Sequence, residues 1–173
     1  SRLRADRPAE RCVAERIDTP FDSEVRAVVG VVPSIKHTTR AHEEAPASKL
    51  FDGRLAYVHD ALGRMEGALR DGDFETAFGL AERDSLHLLA VTMTGPDAWF
   101  YWRPETVRLK ELASTLRSEG VPVYFSSDTG ATAYLNTTVE HADRVADRIE
   151  SLGIDSRIWS VGGPATPIKS HLF

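Results

Sequence analysis

Two apolar runs joined by a short polar turn place the strongest constraint on how this chain can fold. The stretch VPVYFSSDTGATAYLN, residues 121–136, has strand-like segments on either side of SSDTG, residues 126–130. Such runs, separated by a few residues rich in Ser, Asp and Gly, are typical of a β-hairpin. The sequence therefore predicts two adjacent antiparallel strands, with Asp128 held at the turn between them.

Helix and strand signals on both sides of the hairpin indicate a mixed fold. Residues 25–33, VRAVVGVVP, form a β-branched run typical of a buried strand. Three amphipathic helices are predicted between residues 48 and 120, and a fourth after the capping-box pattern Thr137-x-x-Glu140. SRIWSV, residues 156–161, is predicted as a last strand. The order strand, three helices, two strands, helix, strand predicts an α+β fold in which an antiparallel sheet packs against helices.

The apolar residues of two predicted helices define faces that we expect to be buried. Both sets step by three and four residues, which is the spacing of one face of a helix. In the helix that begins near Ser48 they are Phe51, Leu55, Val58, Leu62, Met65 and Leu69, and in the last helix they are Ala142, Val145, Ile149 and Leu152.

Charge and cysteine content exclude several classes of protein. The chain has 173 residues and a formal net charge of −5, so it can bury one core and has no basic footprint for nucleic acid. No apolar run approaches the roughly 20 residues of a membrane helix, and the charged first residues do not resemble a secretory signal. The single Cys12 can form no internal disulfide, which favours a reducing, cytoplasmic location.

The chain is predicted to consist mainly of one domain. Residues 1–20 are polar and interrupted by Pro8 and Pro20, so we expect an arm or a strand left from a preceding domain. Residues 21–168 hold all the periodic segments and are predicted as the domain, and residues 169–173 as a tail. No internal repeat or low-complexity segment interrupts this organisation.

Asp128 is the first candidate for chemistry. Two flanking strands would hold its carboxylate on rigid elements, as a positioned general base requires. The alternative is structural: Asp128 would accept backbone hydrogen bonds within its own turn, and Gly130 would supply a positive φ.

The segment KHTTRAHEEA, residues 36–45, is the second candidate and is predicted as a loop. It combines cationic and hydroxyl donors suited to phosphate oxygens, and Arg40 can bind such oxygens through two parallel hydrogen bonds. The alternative is a solvated polar loop, since Glu43 and Glu44 would partly neutralise an anion site.

Histidine and glycine patterns carry weaker signals. The six histidines show neither HxH nor HExxH spacing, and with one cysteine they predict no metal site built from protein ligands alone. VGGPA, residues 161–165, lacks the lysine and the spacing of a phosphate-binding P-loop.

Taken together, these segments resemble the C-terminal domain of the mevalonate-pathway decarboxylases, diphosphomevalonate decarboxylase and its relative phosphomevalonate decarboxylase, in the GHMP kinase superfamily. VPVYFSSDTGATAYL is similar to the strand–FTxDAGPNA–strand segment of that family, and KHTTRAHE to its KxVSSxxGM loop. AERDSLHLLAVTMTGPDAWFYW resembles the stretch that runs from an xxHA helix into a PPxxY link. The similarity covers roughly residues 22–163, in the same order as in the family.

The resemblance implies a role for each matched residue. Asp128 falls on the catalytic aspartate, and Arg40 on a position where some bacterial members carry a substrate-contacting arginine. Departures from the family pattern at Thr129 and Glu43, among others, favour a monophosphate over a diphosphate substrate. The resemblance places Thr38 and Thr39 on two serines of the loop, adds Ser127 to the substrate-binding residues, and puts His87 and Gly130 behind these residues in supporting positions.

The resemblance also implies a fold and a reaction. The fold would be that of a GHMP kinase C-terminal domain, an elaboration of the ferredoxin-like sheet. The reaction would be the ATP-dependent decarboxylation of a mevalonate phosphate, giving isopentenyl phosphate or diphosphate for isoprenoid biosynthesis. ATP and Mg²⁺ would bind mainly to an N-terminal half with a PxxxGLGSSA loop, a motif that these 173 residues do not contain. This chain alone would then be inactive.

Partners and alternatives follow from the same resemblance. The expected partners are a phosphorylated mevalonate, an N-terminal GHMP domain and a second copy in a homodimer, with no nucleic acid and no membrane. One alternative is a mevalonate 3-kinase-like member that phosphorylates without decarboxylating. Another is a free-standing ligand-binding or regulatory α+β domain.

Overall fold

The computed structural model describes residues 17–34 and 38–162. Within these ranges it contains a single antiparallel sheet and five α-helices. A one-turn 3-10 helix, Pro20–Ser23, precedes the first strand. The strands are β1 (Val25–Gly30), β2 (Val123–Ser126), β3 (Ala133–Thr138) and β4 (Ser156–Ser160), and the helices are α1 (Thr38–Ala47), α2 (Phe51–Asp71), α3 (Phe74–Met93), α4 (Pro104–Ser118) and α5 (Ala142–Glu150).

The sheet has the strand order β2-β3-β1-β4, and each neighbouring pair is antiparallel. Across it Phe125 faces Leu135, which in turn faces Val28. These three side chains are completely buried, together with Leu109 of α4. A Cβ on Gly30 would lie 2.5 Å from Cδ1 of Leu109, so glycine lets α4 approach β1 closely. The predicted α+β class, an antiparallel sheet packed with helices, is therefore confirmed.

The segment predicted as a polar loop is a helix for most of its length. Residues 38–47 form α1, whereas residues 35–37 lie outside the described ranges. The buried positions on its inner side are Ala41, Glu44 and Ala45, continued by Ser48 just beyond the helix end. Their spacing of three and four is helical, but small and polar side chains give no strong apolar stripe, so the sequence pattern was read as a loop.

Helix α2 differs from the prediction in what it buries. It runs from Phe51 to Asp71 and is capped by Gly72, which adopts the left-handed conformation with φ of 71°. Leu55 and Leu62, which were predicted to face inward, are 53% and 60% exposed. Ala68 is the buried residue of this helix. In this chain the predicted apolar face of α2 is therefore only partly covered.

The last helix confirms its predicted face but not its predicted cap. Ala142, Val145 and Ile149 are buried as expected. Thr137, however, belongs to β3, and its hydroxyl donates to the Pro122 carbonyl at 2.7 Å. Pairing with β1 extends β3 to Thr138, so helix α5 starts only after a 3-10 turn, Val139–His141. The predicted capping box is wrong because Thr137 is paired within the sheet and its hydroxyl is bonded to Pro122.

Three predictions lie partly or wholly outside the described residues. They are the arm at 1–20, of which only residues 17–20 are described, the tail at 169–173, and the lower end of the phosphate-binding segment. The boundaries of the domain therefore stay predictions. Among the residues that the structure does describe, no helix is long and apolar enough to cross a bilayer.

Candidate active site

Strand β2 leads into the turn that carries Asp128, and side chains from two helices hold its outer edge. The N–H of Phe125 donates to Oε2 of Glu82 at 2.8 Å, and NH1 of Arg117 donates to the Val123 carbonyl at 2.7 Å. Arg117 also binds both oxygens of Glu82, at 2.9 and 3.0 Å. Two of the backbone groups that an edge strand would leave unpaired are therefore satisfied by α3 and α4.

The ionised form of Glu82 is stabilised in this position. Burial alone would raise the pKa of its carboxyl group, but hydrogen bonds from Arg117 and the Phe125 N–H, with the charges of Lys110 and Arg117, outweigh burial and lower it. The Lys110 ammonium lies 3.3 Å from Oε1. At neutral pH a charged carboxylate thus fixes β2 to α3.

Hydrogen bonds from within also fix the turn at residues 127–132. The buried Ser127 donates its N–H to Oγ of Ser85 at 3.0 Å, and its hydroxyl contacts the Gly130 carbonyl at 3.1 Å. The hydroxyl of Thr106 in α4 donates to the Ala131 carbonyl at 2.6 Å. Ser127 thus faces inward and shapes the turn, which is a different position from that of a residue exposed to a ligand.

Gly130 is buried but does not adopt a positive φ. The structural alternative for this turn, in which glycine was needed for left-handed backbone, is therefore not what the structure shows. Gly130 instead supplies a carbonyl acceptor to Ser127.

Asp128 is exposed at the tip of this rigid turn. Within the described parts of the chain its carboxylate takes part in no hydrogen bond or ion pair, and only its backbone carbonyl contacts the Ser127 hydroxyl, at 3.4 Å. The carboxylate is therefore free to accept a proton from a bound molecule, whereas the structural alternative would have it bonded to backbone N–H groups.

Two buried polar atoms lie in the link between α3 and α4. Among the described residues the Tyr101 hydroxyl and the Trp102 indole N–H have no hydrogen-bond partner, although the two side chains are close enough to interact. Burial raises the pKa of Tyr101 to about 12, and the nearby negative charge of Asp128 adds to this effect. The hydroxyl therefore stays protonated at all physiological pH values, beside the candidate carboxylate.

The first turn of α1 holds the predicted phosphate-binding residues. Thr38 begins the helix, and Thr39 and Arg40 follow it with exposed side chains. The first turn contains no acidic residue. NH2 of Arg40 lies 3.2 Å from Oδ2 of Asp97, in the link that precedes α4. The first turn of a helix presents unpaired N–H groups and a partial positive charge, which suit an anion.

Two chains of contacts place α1 and the Asp128 turn at the same end of the sheet. Ser34, at the end of the segment after β1, accepts a hydrogen bond from the Ala131 N–H at 3.4 Å. Four residues span at most about 14 Å, so the start of α1 lies within that distance of Ser34. The link between α3 and α4 is also near both α1 and the Asp128 turn. Asp97 of this link contacts Arg40, and the charge of Asp128 raises the pKa of Tyr101.

His87 lies elsewhere, in the contact between α2 and α3. Its ring stacks on Tyr57, with centroids 3.9 Å apart and an angle of 16° between the planes. The Tyr57 hydroxyl in turn donates to the Leu80 carbonyl at 3.4 Å. This half-buried histidine joins two helices, and its predicted support of the reacting residues stays a prediction.

Two depressions on the described surface are lined by other residues. One, of about 390 Å³, lies between α2 and α3, with Ser85 and Ser126 among its lining residues and the ion pair of Arg54 and Asp84 beside them. The other, of about 510 Å³, includes Pro33, Arg103 and Ile154. No group of three or more metal-binding side chains occurs in residues 17–34 and 38–162.

Comparison with known proteins gives a consistent picture. No family model matches the chain. Over 155 residues, 89% of its length, the chain is 49% identical to a phosphomevalonate decarboxylase from Haloferax volcanii. The chain is homologous to half of that enzyme. It spans 48% of the length of that relative, and the resemblance to the mevalonate-phosphate decarboxylases is thereby confirmed.

Solved structures share the fold at lower sequence identity. A mevalonate pyrophosphate decarboxylase from Streptococcus pyogenes matches 88% of this chain and 48% of its own, with a TM-score of 0.79 and 19% identity. A complex with MVAPP, AMPPCP and magnesium matches 83% of this chain and 46% of its own, with a TM-score of 0.76 and 18% identity. Mevalonate-3-kinase from Thermoplasma acidophilum, with mevalonate 3-phosphate and ADP bound, matches 86% of this chain and 46% of its own, with a TM-score of 0.76 and 16% identity. The fold is that of GHMP-type decarboxylases and kinases.

Sequence reasoning missed several residues that organise this site. Glu82 and Arg117 lie on separate helices, 35 positions apart, and only the folded structure shows that both meet β2. Glu44 is predicted to lie in a polar loop, yet it is buried and its carboxylate accepts a hydrogen bond from the Asp97 N–H. A helical spacing of small residues around Glu44 was the one signal that could have revealed its burial.

Proposed function

We propose that this chain is the C-terminal, substrate-binding and catalytic part of an ATP-dependent mevalonate-phosphate decarboxylase of isoprenoid biosynthesis. The homology to half of a phosphomevalonate decarboxylase supports the proposal. The observation that carries it is the free carboxylate of Asp128 on a rigid turn, at the same end of the sheet as the first turn of α1. The remaining half of the enzyme would supply the site for ATP.

In this proposal Asp128 acts as the general base. The substrate carries a tertiary hydroxyl, which is a poor nucleophile. As its oxygen bonds to the transferred phosphorus, the Asp128 carboxylate accepts the hydroxyl proton. The C–O bond to the new phosphate then breaks together with loss of CO₂, and the electrons of the broken C–C bond form the double bond of the isopentenyl product. Base catalysis of this kind contributes typically about 10²–10⁴-fold.

ATP with Mg²⁺ supplies the phosphoryl group, and Mg²⁺ bound to ATP needs few ligands from the protein. This chain would contribute positioning. The N–H groups at the start of α1, with Thr38, Thr39 and Arg40, would hold the terminal phosphate of the substrate. Ser127 would support them indirectly, since its inward hydroxyl maintains the turn that carries Asp128. The Haloferax relative, named a phosphomevalonate decarboxylase, favours the monophosphate as substrate.

The decisive experiment replaces Asp128 in the two-domain protein. We expect Asp128→Asn to lower kcat by at least about a hundredfold, because the amide cannot accept the proton. The fold should be unaffected, since the carboxylate makes no contact among the described residues. Steady-state release of CO₂ and phosphate measures the change, and Asp147→Asn, at an exposed position of α5, is the matched control. Near-normal turnover in the Asp128 variant would remove the carboxylate from this role.

A second candidate function is phosphorylation without decarboxylation. The structural similarity to a mevalonate-3-kinase favours it as the alternative. Incubating the two-domain protein with ATP and mevalonate or its phosphates, then measuring ADP and CO₂ separately, distinguishes them. Equal amounts of ADP and CO₂ indicate a decarboxylase, and ADP alone indicates a kinase.

Two further features of the proposal concern assembly and location. A homodimer is expected from the resemblance, and sedimentation equilibrium of the two-domain protein would test it. A cytoplasmic location is proposed for the same reason, since the pathway's phosphorylated intermediates do not cross membranes unaided. The free-standing ligand-binding domain remains the alternative if the chain binds phosphomevalonate without the other half.

A further inference from the structure

Arg40 faces the negative charge of Asp97, and the backbone of Asp97 is held by a buried carboxylate. Its NH2 lies 3.2 Å from Oδ2 of Asp97, and the two side chains are 44% and 65% exposed. Glu44, which is only 3% exposed, accepts a hydrogen bond from the Asp97 N–H, with its two oxygens at 3.1 and 3.3 Å. Arg40 and Asp97 come from separate elements, so this pairing depends on how α1 docks against the link.

The backbone around Asp97 has little freedom to move away. A Cβ at Gly95 would clash with the Glu44 carboxylate, so the link passes directly against that group. The Ser48 hydroxyl contacts the Thr94 hydroxyl at 2.7 Å, which fastens the start of the link to the residue that follows α1. The backbone at Asp97 is therefore held in place, and from it the exposed Asp97 carboxylate pairs with Arg40.

A phosphate that binds Arg40 must replace Asp97 or share the guanidinium with it. Either way the anion approaches a fixed negative charge, and the repulsion grows with the charge of the anion. A monoester carries about two negative charges at neutral pH, and a diphosphate carries roughly one more. At an exposed site with ordinary salt, one additional unit charge a few ångströms away changes affinity by on the order of threefold.

We propose that Asp97 is a specificity residue, which competes with the substrate phosphate for Arg40 and biases the site toward the less charged substrate. This inference rests on the proposed function, because it takes Arg40 as a phosphate ligand. Asp97 itself takes no part in proton or phosphoryl transfer. Glu44 is a positioning residue for Asp97.

The test is Asp97→Asn in the two-domain protein, assayed with phosphomevalonate and diphosphomevalonate. We expect KM to fall for both substrates with kcat unchanged. The fall should be about threefold larger for the diphosphate, and it should shrink at 0.5 M salt. Glu111→Gln, an exposed change of equal charge on α4, is the control for net charge and should leave the ratio of the two KM values unchanged.

A double-mutant cycle separates competition from general electrostatics. Arg40→Ala alone should raise KM, and in that background Asp97→Asn should no longer change the preference between substrates. A rise in KM for both substrates in Asp97→Asn would show that Asp97 orients Arg40 for binding, and would overturn the proposal. An unchanged ratio of the two KM values in Asp97→Asn, with an active two-domain parent protein, would also overturn the proposal. Failure of the parent protein to turn over either substrate would instead refute the proposed function.

Discussion

At the scale of the residue, the site combines one carboxylate that makes no hydrogen bond among the described residues with side chains that are hydrogen-bonded within the protein. Asp128 projects from its turn without a partner among the described residues, while Ser127 beside it is buried and bonded to the turn. The sequence predicted Asp128 correctly as a turn residue between two strands, and the structure adds that it is exposed. It could not show which way Ser127 points, because the alternation of a strand ends where the turn begins.

Tyr101 provides a residue-scale prediction about stability. Among the described residues its buried hydroxyl has no hydrogen-bond partner. A buried polar group without a partner lowers the free energy of unfolding by about 1–3 kcal/mol. We therefore expect Tyr101→Phe to leave the free energy of unfolding at pH 7 unchanged or to raise it by about 1 kcal/mol. Urea denaturation measures the change.

The pH dependence of this variant checks the same buried group. The pKa of Tyr101 is near its ordinary value of 10.0 in the unfolded chain, and burial is the main cause that raises it to about 12 in the folded protein. The contribution of this shift to the free energy of unfolding is fully present below pH 10 and is lost as the pH rises toward 12. Between pH 10 and 12 the hydroxyl releases its proton in the unfolded state but keeps it in the folded state. The wild type should lose about 2 kcal/mol more than Tyr101→Phe over that range. Equal losses would mean that the hydroxyl is not buried in solution.

At the scale of the element, the helices determine where the turn lies. Helices α3 and α4 hold the outer edge of β2 through Glu82 and Arg117, and α1 docks on the link through Glu44. The sequence predicted three of the four helices that precede β2, because each has a stripe of large apolar residues. It missed α1, whose buried residues are small or polar. Contacts such as Glu82 with Phe125 join distant parts of the chain, and no local pattern reports them.

Glu82 provides the element-scale prediction. Glu82→Gln should lower the free energy of unfolding by about 2 kcal/mol, because Arg117 and Lys110 lose the carboxylate that compensates their half-buried charges. Chemical denaturation at pH 7 measures this, with Glu111→Gln as the control.

The effect of Glu82→Gln should depend on pH in a defined direction. Burial opposes ionisation of Glu82, but its hydrogen bonds and neighbouring cations lower its pKa below the ordinary value of 4.5. Its stabilisation is therefore present above pH 4.5 and is lost as the pH falls through the lower, folded value. The difference between wild type and variant should shrink below about pH 4. A difference that stays constant there would assign the effect to packing alone.

At the scale of the whole molecule, the chain corresponds to about half of the relative that it matches. Asp128 is exposed at the end of the sheet where the first turn of α1 also lies, whereas His87 lies between α2 and α3. We expect the isolated chain to show no turnover with ATP and phosphomevalonate, and the activity to return when the N-terminal half is added. A coupled assay for ADP release measures both. Turnover by the isolated chain would contradict the proposed division of labour.

The clamp on β2 has a consequence for how the sheet can associate. An open edge is a template for a further strand from another molecule, and sheets with two open edges can stack end to end into aggregates. Here Glu82 and Arg117 occupy two outward-pointing backbone groups of β2, and Ser85 binds the N–H of Ser127 just beyond it, so an incoming strand would have to displace these contacts. We therefore expect β-augmentation beside β4, on the far side of the sheet from Asp128, rather than beside β2.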